Sequence, residues 1–117
     1  MDRRTLFSDV DDTLICHNLS DFPVEDRITI RCKGRSFQAV PHTHNIKLLV
    51  KFYKLGYDVF VWSKTGESWA RAVVKKLGLE QYVRACISKP DWILDDKGVD
   101  SWMGTRLYRD PKTGKEM

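Results

Sequence analysis

The stretch TLFSDVDDTLI, residues 5–15, decides the reading of this chain. An apolar pair, Leu6 and Phe7, runs into three carboxylates, Asp9, Asp11 and Asp12, with Val10 among them and Leu14 and Ile15 beyond. Like charges this close repel. A carboxylate taken out of water without a partner shifts its pKa or destabilises the fold. A folded domain that keeps such a cluster needs something positive to meet it.

The rest of the chain limits what that can be. Its 117 residues suit one domain with one core. A hydrophobic content of 42% and a charged content of 31% are those of a soluble, folded protein. No apolar run approaches the roughly 18 residues of a membrane span. The N-terminus, MDRRTLFSDV, has no apolar run of signal-peptide type. These features predict a cytoplasmic protein with no membrane partner. Cys16, Cys32 and Cys86 are widely spaced, form no C-x-x-C pair and read as free thiols of a reducing compartment.

The net charge of +4 is unevenly spread. Residues 1–26 carry two Lys/Arg against seven Asp/Glu, residues 27–89 thirteen against three, and residues 90–117 five against six. Acids towards both ends with bases between them suggest a metal-and-phosphate arrangement. Part of the middle excess, Lys47, Lys51, Lys54, Lys75 and Lys76, belongs to solvated helix faces.

Residues 4–9 read as a short buried strand ending at the acids, and residues 16–26 as loop. Residues 27–40 alternate on both sides of Lys33-Gly34, which predicts a β-hairpin with a two-residue turn. Ile46, Leu49, Val50 and Tyr53 recur at helical spacing before Gly56. YDVFVW, residues 57–62, reads as a second buried strand. Residues 65–78 read as a second helix with Thr65 at its N-cap and Gly78 past its end. RACIS, residues 84–88, is a short extended piece. DWILDD, residues 91–96, reads as a further buried strand, again ending in acids. Only Lys89 and Pro90 separate these last two, whereas a parallel crossover takes a dozen or more residues. Either 84–88 is not a regular parallel strand or the sheet is truncated there. The tail 104–117 is polar and turn-rich, a weak edge element or a loosely ordered segment. Strands alternating with helices predict an α/β fold with a mostly parallel sheet. Ligands of such sheets bind beyond the carboxyl ends of the strands. Asp9 to Asp12, Ser63 and Asp95-Asp96 all fall there and are expected to converge.

Clustered carboxylates without a histidine pair suit a hard cation, above all Mg²⁺. A carboxylate beside the metal, a hydroxyl (Ser63) and an ammonium (Lys89) suit a phosphoryl group. At this point the residues meet a known pattern. LFSDVDDTL matches the D-x-D-x-[TV] motif that follows the first strand of the haloacid dehalogenase (HAD) superfamily. Ser63 in VFVWSKTG, Lys89 in SKPD and the acids of WILDDKGVD match its second, third and fourth motifs, in order. The chain therefore resembles a small, capless HAD phosphohydrolase over residues 5–100.

The resemblance implies a Rossmann-like core in a single domain spanning 1–117, and it implies roles. Asp9 would be the nucleophile that forms an aspartyl-phosphate, and Asp11 the acid and then the base. Ser63 and Lys89 would hold the phosphoryl group, with Thr13 and Lys64 assisting on the substrate side. Asp9, the Asp11 backbone carbonyl and Asp96 would bind Mg²⁺, Asp95 would support them, and Asp100 would orient Lys89. Asp12 stands where the family often has Gly. The hairpin turn and SKPD leave no room for a cap domain, so the hairpin 27–40 is the only flap over an open site. Arg31, Lys33 and Arg35 near its tip could meet the phosphates of a polyanion. The expected activity is a Mg²⁺-dependent phosphatase acting on nucleic-acid ends or nucleotides, with a sugar phosphate or phosphoprotein as the alternative substrate. A receiver-like signalling module or a non-catalytic binding module is the reading of another class, and turnover separates them.

Overall fold

The computed structural model describes residues 2–117. Its framework is a mixed α/β arrangement of two small sheets and two helices. The first sheet holds β1 (Thr5–Ser8), β5 (Asp58–Ser63) and β6 (Ala85–Ser88), all parallel, in the order β1-β5-β6. The second is antiparallel. It joins β2 (Ile15–Cys16), β3 (Ile28–Cys32) and β4 (Arg35–Pro41) in the order β2-β4-β3. Helix α1 (Thr43–Lys54) leads into β5 and helix α2 (Glu67–Lys76) leads out of it.

Local chemistry explains most of these elements. Lys33 and Gly34 both adopt positive φ, 51° and 75°, the signature of a type I′ turn whose twist matches the strands it joins. The hairpin forms as the alternation predicts. Gly56 (φ 96°) and Gly78 (φ 70°) follow the two helices in left-handed geometry. Helix α1 starts at His42, whose ring accepts the Asn45 N–H. Helix α2 does not start at Thr65 as its sequence suggests. Gly66 (φ 124°) takes the cap position, and the Ser88 hydroxyl, from the neighbouring strand β6, accepts the Glu67 N–H at 3.0 Å.

The order β1-β5-β6 moves one way across the sheet. Right-handed crossovers then set both helices on the same face. Val59 and Val61 point to that face and pack with Leu49 of α1 and with Ala70 and Val73 of α2. Each such fully buried aliphatic side chain is worth about 1.5–3 kcal/mol relative to exposure. Val10, Leu14, Ile15 and Ile30 extend the same core under the loop after β1. The opposite face carries Phe7 stacked on Phe60 at 4.8 Å, with Trp62 tilted at 4.7 Å from Phe7 and Ile87 beyond. Phe7 and Ile87 there are exposed.

The C-terminal region departs from expectation. Residues 84–88 do include a regular parallel strand, β6, whose register sets Ser88 against Ser63. The sheet stops there, and the expected strand at 91–96 is absent. Those six residues are irregular and exposed, with Trp92 at 92% and Leu94 fully solvated. The two residues between β6 and that run, Lys89 and Pro90, are too few for a crossover back into the sheet. Without a neighbour the apolar run has nothing to pair with. Beyond it the chain returns to α1. The Arg109 carbonyl accepts from His42 Nε2 at 2.7 Å, and the Arg109 N–H donates to the Asn45 side chain at 3.1 Å. Arg109 and Glu116 close a small antiparallel bridge. No helix among the described residues is long and apolar enough to cross a membrane.

Candidate active site

Asp9 follows β1 directly. In the parallel register β1 ends beside Val61, so Asp9 stands at the same sheet edge as Ser63, which ends β5. The chain then turns tightly. The Val10 carbonyl accepts from the Thr13, Leu14 and Ile15 N–H groups, and Asp12 takes the left-handed region at φ 57°. A short polar side chain tolerates that conformation better than most, because it can hydrogen-bond locally. Asp12 does so by accepting the His17 N–H at 3.1 Å. The turn keeps Val10 and Leu14 buried and leaves Asp9 and Asp11 partly open to solvent.

Around these acids the polar contacts are specific. Thr13 Oγ1 lies 3.4 Å from Asp9 Oδ2. Asp11 Oδ1 meets His17 Nε2 at 2.8 Å and accepts the Trp69 indole N–H at 3.0 Å. Thr65 Oγ1 is 3.5 Å from Asp11 Oδ2. Ser63 is completely buried. Its hydroxyl accepts the Thr65 N–H at 3.0 Å, and its carbonyl accepts the Lys89 N–H at 2.9 Å. The Lys89 ammonium sits 5.8 Å above the Trp62 ring, a favourable contact for a cation. Asp9, Asp11, Thr13, Ser63 and Lys89 are thus gathered at the carboxyl ends of β1, β5 and β6.

Other expected site residues stand apart from this group. Lys64 is paired with Asp91, which holds the Asp91 carboxyl below its ordinary range through the hydrogen bond and the charge. Both partners are exposed, and pairs of that kind contribute little and release readily. Asp95, Asp96 and Asp100 are exposed on the irregular segment after β6. Asp95 is held below the ordinary carboxylate range by a hydrogen bond with Asp96 and by the Lys97 N–H. Among the described residues no three His, Cys, Asp or Glu side chains are grouped to hold a metal ion. The expected convergence of the two acid clusters is therefore not present in this conformation, because the strand meant to carry the second cluster is not formed. The donor chemistry of Asp9 and the Asp11 carbonyl, all hard oxygen, does suit Mg²⁺.

Arg31, Lys33 and Arg35 are exposed at the hairpin tip, but they do not share a face. Arg31 opposes Ser36 and Arg35 opposes Cys32, so the two arginines leave the hairpin on opposite sides. The hairpin packs towards the site through Phe37, edge-on to Trp69 at 5.1 Å.

Two contributors to the site were hidden in the sequence. Thr65 reads as a helix cap. His17 lies within residues 16–26, which read as loop. Only the pairing of β2 with β4, Cys16 against Val40, folds the chain back and returns the His17 ring to Asp11. The lone signal is an imidazole six positions after an acid of the motif.

His42 is fully buried as the α1 cap, and burial above all lowers its pKa. Cys16 is also buried, and its thiol is pushed up to about 11, first by burial and then by Asp12 and Asp21. A thiol held protonated in this way is a poor nucleophile.

Comparison with known proteins gives one match. The family model of the NLI interacting factor-like phosphatases aligns with residues 4–109. No curated protein and no solved structure matches the chain. The matched range starts just before β1, takes in every residue of the gathered site and ends where the tail docks on α1. The chain belongs to the NLI interacting factor-like phosphatase family, a branch of the HAD superfamily.

Proposed function

We propose that this phosphatase hydrolyses phosphomonoesters through a covalent intermediate on Asp9, with residues 1–117 acting as one Rossmann-like catalytic unit. The observation that carries the reading is the meeting of Asp9 and Asp11 with buried Ser63 and the backbone of Lys89 at one edge of a parallel sheet. An Asp9 carboxylate oxygen forms a bond to phosphorus while the bond from phosphorus to the leaving oxygen breaks. Asp11 gives its proton to that oxygen. In the second step a water oxygen attacks phosphorus, Asp11 takes the water's proton, and the bond between Asp9 and phosphorus breaks. Lys89 and Ser63 would steady the phosphoryl oxygens through both steps, with Thr13 and Lys64 assisting.

Mg²⁺ would be held by the Asp9 carboxylate and the Asp11 backbone carbonyl. Asp96, supported by Asp95, would join them once residues 91–96 come down beside the site. When bound, the ion supplies positive charge against the phosphoryl oxygens. Asp100 would then come within reach of Lys89.

The substrate proposed is a phosphorylated nucleic-acid end or a nucleotide, with a sugar phosphate or phosphoprotein second. The short hairpin turn and the brief link after β6 leave the site open to a large substrate. Of the hairpin cations, those on one face at a time can follow a phosphate backbone. Three free cysteines fit a reducing, cytoplasmic setting.

A panel of phosphorylated oligonucleotides, nucleotides, sugar phosphates, phosphopeptides and p-nitrophenyl phosphate, with Mg²⁺ and with EDTA, tests the reading. Turnover that needs the metal and favours oligonucleotide ends is expected. Phosphate accepted once without turnover would instead assign a receiver-like role.

A further inference from the structure

We infer that His17 is a positioning residue for the acid–base step, acting together with Trp69 by holding one oxygen of Asp11. The inference rests on the phosphatase reading given above. The two donors approach the same atom from different elements. His17, just past β2, brings Nε2 to 2.8 Å of Asp11 Oδ1, and Trp69 of α2 brings its indole N–H to 3.0 Å of it. An indole N–H can only donate, and Trp69 is 7% exposed and fixed in the core. Oδ1 is therefore anchored to a rigid donor. His17 supplies the second hold whenever Nε2 carries a hydrogen, which both the neutral ε tautomer and the imidazolium do.

Two N–H groups on Oδ1 leave Oδ2 as the oxygen free to pass a proton. Among the described residues its hydrogen-bond partner is the Thr65 hydroxyl, at a loose 3.5 Å. Thr65 is itself tied to Ser63 through its N–H, so Oδ2 faces the side of the site where the phosphoryl group would sit. His17 is in turn held by its own N–H on Asp12. The rigid turn, the ring and the indole together fix the rotation of the Asp11 carboxyl. A free carboxyl would present either oxygen, and a misdirected acid loses the proximity that makes proton transfer effective.

A positioned acid matters most when the departing oxygen is a poor leaving group. The experiment therefore compares an alkyl phosphate with p-nitrophenyl phosphate at saturating Mg²⁺, using wild type, His17→Ala, His17→Gln and Trp69→Phe. General acid–base help is worth about 10²–10⁴-fold in total. His17→Ala should lose about 10-fold or more in kcat on the alkyl phosphate and less than about threefold on p-nitrophenyl phosphate, with KM little changed. His17→Gln, which restores an N–H donor, should recover much of the loss. Trp69→Phe should show the same bias, and the double variant should lose less than the product of the two single effects. The His17 side chain is 43% exposed and lies outside the buried core, so thermal unfolding of its variants should stay close to wild type. Equal losses on both substrates, or none, would overturn the positioning role while leaving the phosphatase standing. A wild-type protein that turns over neither substrate would remove the phosphatase reading and this inference together.

Discussion

Two stretches of this chain look alike on paper and fold differently. TLFSD and DWILD each run from polar through apolar residues into an aspartate. The first becomes β1, paired along its length with β5, and delivers Asp9 to the sheet edge. The second stays irregular and exposed, and its acids stand in solvent. The difference lies in what surrounds them. β1 is followed by an intervening hairpin and helix, ample chain to return beside it as β5. The 91–96 run follows β6 after two residues and finds no neighbour. Strand propensity describes fitness for a pleated, half-buried surface and does not by itself supply one.

The sharpest way to break the contrast is chemical. Asp9→Asn should abolish turnover, since an amide does not attack phosphorus, and Asp11→Asn should cost at least roughly 10²-fold. Asp96→Ala should act differently, by raising the Mg²⁺ concentration needed for half-maximal activity, and by more than Asp95→Ala does. Rates measured across a Mg²⁺ titration check all four variants. A near-normal Asp9→Asn enzyme would erase the privilege given to the first stretch. A dead Asp96→Ala enzyme at any Mg²⁺ level would show that the second stretch is equally essential to the site.

Stability gives the next contrast. Leu14→Ala removes a buried side chain of the core beneath the acid turn, and changes of that type cost about 2–5 kcal/mol. Leu94→Ala removes a solvated one and should stay within about 0.5 kcal/mol. Denaturant melts of both variants measure the gap. A large effect at Leu94 would mean that the second stretch packs in solution.

Acid should act on the tail's anchor. His42 has its pKa lowered by burial, against smaller opposing effects from its Arg109 hydrogen bond and the Asp110 charge, while His44 reinforces the lowering. The unfolded chain then binds a proton at the ordinary value of 6.5 that the folded chain refuses. Folded stability is whole above that pH and falls as the pH drops below it. Melting temperatures from pH 8 to pH 5 should decline, and His42→Gln should flatten that part of the decline.

The smallest effect concerns labelling. Under native conditions iodoacetamide should modify half-buried Cys32 before Cys16, which is buried and has its thiol raised to about 11. Equal rates would mean that the turn after β1 opens as often as the hairpin does.

The sequence disclosed those parts of the molecule that depend on near neighbours. Lys33-Gly34 fixes a turn by backbone geometry alone, and Gly56 and Gly78 end helices in the same way. Ile46, Leu49 and Val50 repeat at a helical period because α1 has a single face to bury. The places of Asp9 and Ser63 at strand ends are readable from the strand pattern, while Lys89 is singled out by motif order alone. What stayed hidden depends on distant partners. Two residues of β2 carry no pattern of their own, yet they bring His17 back to Asp11. Trp69 reads as core, which it is, while the polar end of its indole reaches the site. Residues 91–96 have the pattern of a strand and lack the partner that would make them one.

The register of β1 against β5 also sets an order of assembly. Residues of the β3–β4 hairpin meet across a two-residue turn, and such units form in about 1–10 μs. Thr5 meets Asp58 only after about fifty intervening residues have been gathered. That loop must lose its freedom before any of its contacts repays the loss. Asp9 and Ser63 become neighbours through this pairing alone. During refolding, the amide protons of the hairpin should gain protection first, and phosphatase activity should return only with the slowest phase.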